Sequence, residues 1–180
     1  MSFLKSTCIV FFTLGFAGQA TAEINGVPFE AVIQAESYAR SIGCFSSEPE
    51  LDQDYLPTPL AAVLYGSDKD GANSIDFEAE FLVFVVADPG CAGGTGTSNF
   101  VPVAVRKGPL SSAYYVDPQY SAPAITMSGV NLGGIQSVIA IDSNTIELTW
   151  AEWGPNDPNC CPSIEGKATL KRDSSGNWTE

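Results

Sequence analysis

Phe77-Glu78-Ala79-Glu80-Phe81-Leu82-Val83-Phe84-Val85-Val86-Ala87 is the stretch that decides the fold. Phe77, Ala79, Phe81, Val83 and Val85 recur at every second residue, the period of a β-strand. In the first half they alternate with Glu78 and Glu80. The second half is apolar throughout, the pattern of a central strand covered on both faces.

Shorter strand patterns surround it. Leu60 to Tyr65 precedes it, and Phe100 to Arg106 follows, interrupted by Pro102, which points to an edge or a bulge. Ala113 to Val116 and Ala124 to Met127 are short candidates. Gln136 to Ile141 and Thr145 to Trp150 flank Asp142-Ser143-Asn144, a hairpin signal. Lys167 to Lys171 and Asn177 to Thr179 flank Asp173-Ser174-Ser175-Gly176, a second one. One helix is expected, from Pro28 to Ile42. Pro28 suits a first turn, Glu30 complements the helix dipole, and Val32, Ala35, Ala39 and Ile42 repeat at helical spacing, with Gly43 as the stop. Phe45 to Pro57 is acidic and turn-rich and reads as a loop. The expected fold is mostly β, an antiparallel, sandwich-like sheet with one N-terminal helix; α+β is the alternative.

The first residues carry an export signature. Lys5 forms a short basic region, Cys8 to Ala17 is an apolar run too short to span a bilayer, and Ala20-Thr21-Ala22 fits a small-x-small cleavage site. Residues 1–22 therefore read as a signal peptide and residues 23–180 as one exported, disulfide-bonded domain, periplasmic or secreted. Cys8 opens the apolar run rather than following it, so lipidation is not expected. No later stretch has the length and hydropathy of a membrane span. The net charge of −13 disfavours nucleic acid and anionic lipid as partners. It favours cations or a basic protein, and it keeps the chain soluble.

Four of the five cysteines, Cys44, Cys91, Cys160 and Cys161, follow the signal peptide. An even count in an oxidising compartment reads as two disulfides, and three connectivities are open. A bond between neighbours closes a strained ring, whereas side chains of adjacent residues in an extended segment point in opposite directions.

The chain has no histidine, which excludes Ser-His-Asp and Cys-His nucleophiles and histidine-ligated zinc. A four-cysteine zinc site lacks its paired spacing, since nothing separates Cys160 from Cys161. In Gly66-Ser67-Asp68-Lys69-Asp70-Gly71-Ala72-Asn73-Ser74-Ile75-Asp76, the side chains of Asp68, Asp70 and Asp76 have calcium-loop spacing. Ala72 stands where a further acidic ligand is usual, and a plain turn accounts for the same residues. Asp88-Pro89-Gly90-Cys91-Ala92-Gly93-Gly94-Thr95-Gly96 is glycine-rich but lacks the lysine and helix of a phosphate cradle, so it reads as a connection anchored at Cys91. Trp150, Glu152, Trp153 and Asp157 combine carboxylates with indoles, as a glycan-binding surface or a carboxylate-based glycoside hydrolase would. Glu147 falls on the opposite strand face from Trp150 and Glu152.

Asp68, Asp70 and Gly71, then Asp88-Pro89-Gly90, then Gly154-Pro155 and Asp157-Pro158-Asn159-Cys160-Cys161-Pro162-Ser163 occur in an order that resembles a group of small secreted bacterial proteins and lipoproteins, the LppP/LprE-like lipoproteins among them. The likeness covers roughly residues 60–176, and only the Cys-Cys-Pro-Ser stretch is specific. It implies a Cys44–Cys91 pair beside a vicinal Cys160–Cys161 bond, and it carries over no catalytic residue. The expected role is a non-catalytic binding or envelope-associated module without a resident cofactor. A histidine-free carboxylate hydrolase acting on glycans and a calcium-stabilised interaction module are the alternatives.

Overall fold

The computed structural model describes residues 23–24, 26–43, 60–66, 78–88, 91, 99–108, 110, 112–158 and 162–180. A two-residue hairpin of β1 (Glu23–Ile24) and β2 (Val27–Pro28) leads into α1 (Phe29–Ile42). One four-stranded antiparallel sheet follows, in the order β3 (Leu60–Tyr65), β4 (Ala79–Ala87), β5 (Asn99–Lys107), β6 (Tyr114–Val116). A 3-10 turn at Pro118–Tyr120 and an irregular stretch lead to the second sheet. Its strands are β7 (Ile135–Asp142), β8 (Thr145–Glu152), β9 (Ile164–Arg172) and β10 (Trp178–Thr179), in the order β10-β9-β8-β7.

The layers follow from β4. Its odd-numbered side chains, Phe81, Val83 and Val85, pack against Ala31, Val32, Ala35 and Ala39 of α1. Three alanines on that helix face let the helix lie close to the sheet. The even-numbered side chains, Leu82 and Phe84, pack against Ile146, Leu148, Leu170 and Trp178 of the second sheet. The fold is thus helix, sheet, sheet, with β4 covered on both faces as its apolar run requires.

Helix α1 begins one residue later than expected, with Pro28 as its N-cap, and Gly43 ends it by donating its N–H to the Ala39 carbonyl. Pro102 lies inside β5 rather than on an edge strand, opposite Phe84. Within a strand the N–H and C=O of one residue point to the same side. The Pro102 carbonyl accepts from Ala122 N–H at 2.9 Å, so its ring nitrogen also faces away from β4. Strand β6 pairs only with residues 105–107, so no ladder bond is lost at Pro102.

Ala124 to Met127 does not form a strand. It is a turn followed by one isolated parallel bridge, Met127 to Trp178. Both expected hairpins are present, as β7–β8 and β9–β10. In each, an aspartate builds the turn, Asp142 accepting from Asn144 N–H and Asp173 from the N–H groups of Ser175 and Asn177. Residues 1–22, Phe77 and the acidic stretch 45–57 lie outside the described residues. Among the described residues no helix is long and apolar enough to cross a membrane.

Because both faces of β4 are buried, truncations on either face open a cavity. Phe81→Ala on the helix side is expected to cost roughly 3–5 kcal/mol and Leu82→Ala on the sandwich side roughly 2–5 kcal/mol. Urea unfolding followed by circular dichroism checks both. A solvent-facing position would lose less than about 0.5 kcal/mol.

Candidate functional site

The two ends of the sandwich differ in chemistry. At one end a cross-strand row runs through the first sheet, Tyr65 opposite Glu80, Glu80 opposite Arg106, and Arg106 opposite Tyr115. Glu80 shares its face with Leu82 and Phe84 and is only 1% exposed. Arg172 reaches it from the second sheet with both terminal nitrogens, at 2.5 and 3.3 Å. The same guanidinium donates to the Ser143 carbonyl at 2.9 Å and to Asn144 Oδ1. Arg106 adds a longer ion pair to Glu80, 3.6 Å, and one to Asp117, 3.3 Å. The Tyr120 ring lies under both guanidinium groups, 4.8 Å from that of Arg106 and 5.4 Å from that of Arg172.

These contacts offset the desolvation of a fully buried carboxylate, which costs several kcal/mol when unpaired. Burial, and then the Glu80 charge, push the Tyr65 hydroxyl above its ordinary pKa. Burial works against the Arg106 charge, but Glu80 and Asp117 outweigh it and raise its pKa. The network is charge-balanced and ties the two sheets together. Sequence patterning alone places Glu80 on a solvated face. The only local hint is that it shares a strand face with Leu82 and Phe84.

The opposite end holds the expected carboxylate and tryptophan set. It is bridged by residues 131–134, where Phe100 N–H donates to the Leu132 carbonyl and Ala151 N–H to that of Gly134. A Cβ at Gly134 would collide with the Ala151 carbonyl oxygen, so glycine permits this approach. Trp150 lies in the core rather than on the surface. Its ring covers Gly166, its cross-strand partner, where any Cβ would meet the indole. Its Nε1 donates to Glu152 Oε1 at 2.7 Å. Trp153, by contrast, is 54% exposed, and Ile164 is exposed close by, opposite Glu152. Asp157 Oδ2 accepts from Gly154 N–H and Ser163 N–H, both at 2.7 Å, and so clamps the base of the loop between β8 and β9. Glu147 lies on the opposite strand face from Trp150, as expected; that face is the outward one, and Glu147 pairs there with Lys167 at 2.8 Å.

Cys91 is held in a disulfide whose other half lies outside the described residues, as do Cys44, Cys160 and Cys161. Residues Asp88 and Asn99, which flank the glycine-rich connection, lie at the Trp150 end, as do Pro158 and Pro162 beside the double cysteine. Helix α1 starts beside Val63 and runs toward the level of Pro102, with Tyr38 Oη donating to the Ala122 carbonyl, so Gly43 is directed to the same end. The calcium-spaced residues Asp68, Asp70 and Asp76 lie outside the described residues. Their described neighbours, Gly66 and Glu78, lie at the Glu80 end.

A third feature is a groove of about 470 Å³ between β3 and β7, the facing edge strands of the two sheets. It is lined by residues 61–63 and 137–140, whose only polar side chain is that of Ser137. Compared with protein-family models, with characterised proteins and with solved structures, the chain gives no match.

Removing one partner of the buried network leaves an uncompensated charge. Glu80→Leu alone or Arg172→Met alone is expected to cost roughly 3–5 kcal/mol, while the double substitution recovers most of that, because Arg106 keeps Asp117. A double-mutant cycle in urea measures the coupling.

Backbone donors hold Asp142, Asp157 and Asp173 below the ordinary aspartate value of 3.8. A depressed folded-state pKa adds stability that is present above the unfolded value and is lost as pH falls through the folded one. The urea midpoint should therefore drop as pH is lowered below about 4. Asp157→Asn should flatten that acid limb while lowering the midpoint at neutral pH.

Proposed function

We propose that this chain is an exported, non-catalytic binding module that associates with the cell envelope through the Trp153 end of the sandwich. One observation carries the reading. Glu152 and Asp157 are engaged in building the fold, one on the Trp150 indole and the other on two backbone N–H groups, while the neighbouring Trp153 indole is offered to solvent. An exposed tryptophan beside a clamped loop suits contact with a ligand face. Glycoside hydrolysis needs two carboxyl groups free to face one bond.

Further support comes from the leader pattern of residues 1–22, the acidic composition, and the likeness of the Asp157 to Ser163 stretch to small secreted proteins and lipoproteins. The extracytoplasmic location and the relationship to LppP/LprE-like lipoproteins belong to this proposal. So does a calcium-stabilised variant of the module, whose residues Asp68, Asp70 and Asp76 predict a higher melting temperature in calcium than in chelator.

Co-sedimentation of the purified domain with isolated bacterial envelopes tests the reading. The wild-type chain is expected in the pellet, and Trp153→Ala should weaken retention about fivefold or more, the effect of losing an aromatic anchor worth over ~1 kcal/mol. Its melting temperature should be unchanged. A chain that stays in the supernatant would remove the envelope role. Release of reducing sugar ends that disappears in Glu152→Gln would replace it with the hydrolase.

A further inference from the structure

The two guanidinium groups at the Glu80 end are held differently. That of Arg172 donates to Glu80, to the Ser143 carbonyl and to Asn144. That of Arg106 makes ion pairs only, with Glu80 at 3.6 Å and Asp117 at 3.3 Å, and no aligned hydrogen bond among the described residues. Its Nε is buried without an acceptor. Arg172 alone balances the Glu80 charge. Arg106 is a second cation, 28% exposed and rich in N–H groups that have nothing to donate to.

Two phenols and a carboxylate adjoin it. Tyr115 is its cross-strand partner on β6 and is half exposed. The Tyr120 ring lies 4.8 Å from the guanidinium. Neither hydroxyl forms a hydrogen bond among the described residues, whereas that of Tyr38, on the helix side, donates to the Ala122 carbonyl. Asp117 caps the 3-10 turn with Oδ1, which accepts from Gln119 N–H, and turns Oδ2 to Arg106.

The backbone fixes this arrangement. Residues 117–134 form the segment that crosses from β6 to the second sheet. Its start is tied to β5, with Asp117 N–H bonded to the Ala104 carbonyl. The fully buried Ser121 hydroxyl accepts from Ala104 N–H and donates to the Asp117 carbonyl. The polar groups are therefore ordered before any ligand arrives, which lowers the cost of binding.

Their chemistry selects the ligand. A guanidinium only donates, a carboxylate only accepts, and a phenol does both. An anion on Arg106 would meet Asp117 and Glu80, in a chain of net charge −13. An ammonium beside Asp117 would meet Arg106. A hydroxyl donates and accepts at once, so neighbouring hydroxyls on an uncharged ring satisfy the whole set. The exposed Tyr115 ring offers an apolar face for the C–H side of that ring.

We propose that Arg106, Asp117, Tyr115 and Tyr120 form a binding site for an uncharged sugar ring, one pyranose unit of a glycan. The site lies at the end opposite Trp153 and goes beyond the envelope reading, since any neutral glycan supplies these hydroxyls.

The test is a titration of the disulfide-intact domain with cellotetraose, and separately with N-acetylated chitotetraose, followed by proton–nitrogen NMR that includes the arginine Nε–H signals. At least one of these sugars is expected to shift the Arg106 Nε–H signal and the backbone amides of Arg106, Tyr115 and Tyr120. The galacturonate and glucosamine tetramers, their charged counterparts, should bind there about tenfold or more weakly. Arg106→Lys keeps a charge beside Asp117 but loses the planar fork, and should weaken the sugar about tenfold. Tyr115→Ser, at a half-exposed position, should weaken it about fivefold with no change in melting temperature. No shift with either neutral sugar at about 10 mM, well above a millimolar dissociation constant, would overturn the proposal. So would a charged tetramer that binds there more tightly than a neutral one, or shifts confined to the Trp153 loop.

Discussion

Every layer of this fold answers one constraint, the need to cover both faces of β4. Leu82 and Phe84 on one side and Phe81 and Val83 on the other are fully buried. Burying a side chain of that size is worth roughly 1.5–3 kcal/mol each. Neither cover alone suffices. The helix supplies an alanine-rich face for one side, and the second sheet supplies Ile146, Leu148, Leu170 and Trp178 for the other. A helix with bulkier inward residues would stand off the sheet and leave Val83 and Val103 under-packed.

Glu80 is the exception that the constraint creates. It occupies a position that the second sheet covers, so its carboxylate must be neutralised from above. Arg172 does this at the end of β9, and its own orientation is set by the Asn144 turn beside it. The hairpin turn between β7 and β8 therefore positions the cation that joins the two sheets. An apolar pair at these positions would come close to the same stability. What the ion pair adds is register, because a slip of one residue in either sheet would strand both charges in the core.

The elements with local determinants were legible. Alternation in β4 foretold a strand covered on both faces, and the aspartate turns at Asp142 and Asp173 foretold the two hairpins. The helix was readable from Pro28, Ala35, Ala39 and Gly43. Features that depend on distant residues were not. Glu80 reads as solvated until Arg172, 92 positions away, is brought to it. Trp150 reads as a surface indole until its cross-strand partner is seen to be Gly166, which leaves a gap the ring fills. Ala124 to Met127 has strand-like composition, but Trp178 offers it only a single bridge. The candidate site shows the same division. Glu147 and Glu152 fall on opposite faces, as alternation requires, whereas the role of Asp157 as a loop clamp depends on Ser163 folding back to it.

The two sides of the sandwich are closed in different ways. Both sheets end in short or irregular strands at β6 and β10, and the crossing segment supplies backbone partners there. At β3 and β7 the strands are longer and pack directly against each other. Proteins usually protect such an edge with lysine, proline or bulges. Here only the bulges are present on β7, and they protect its ends rather than its middle.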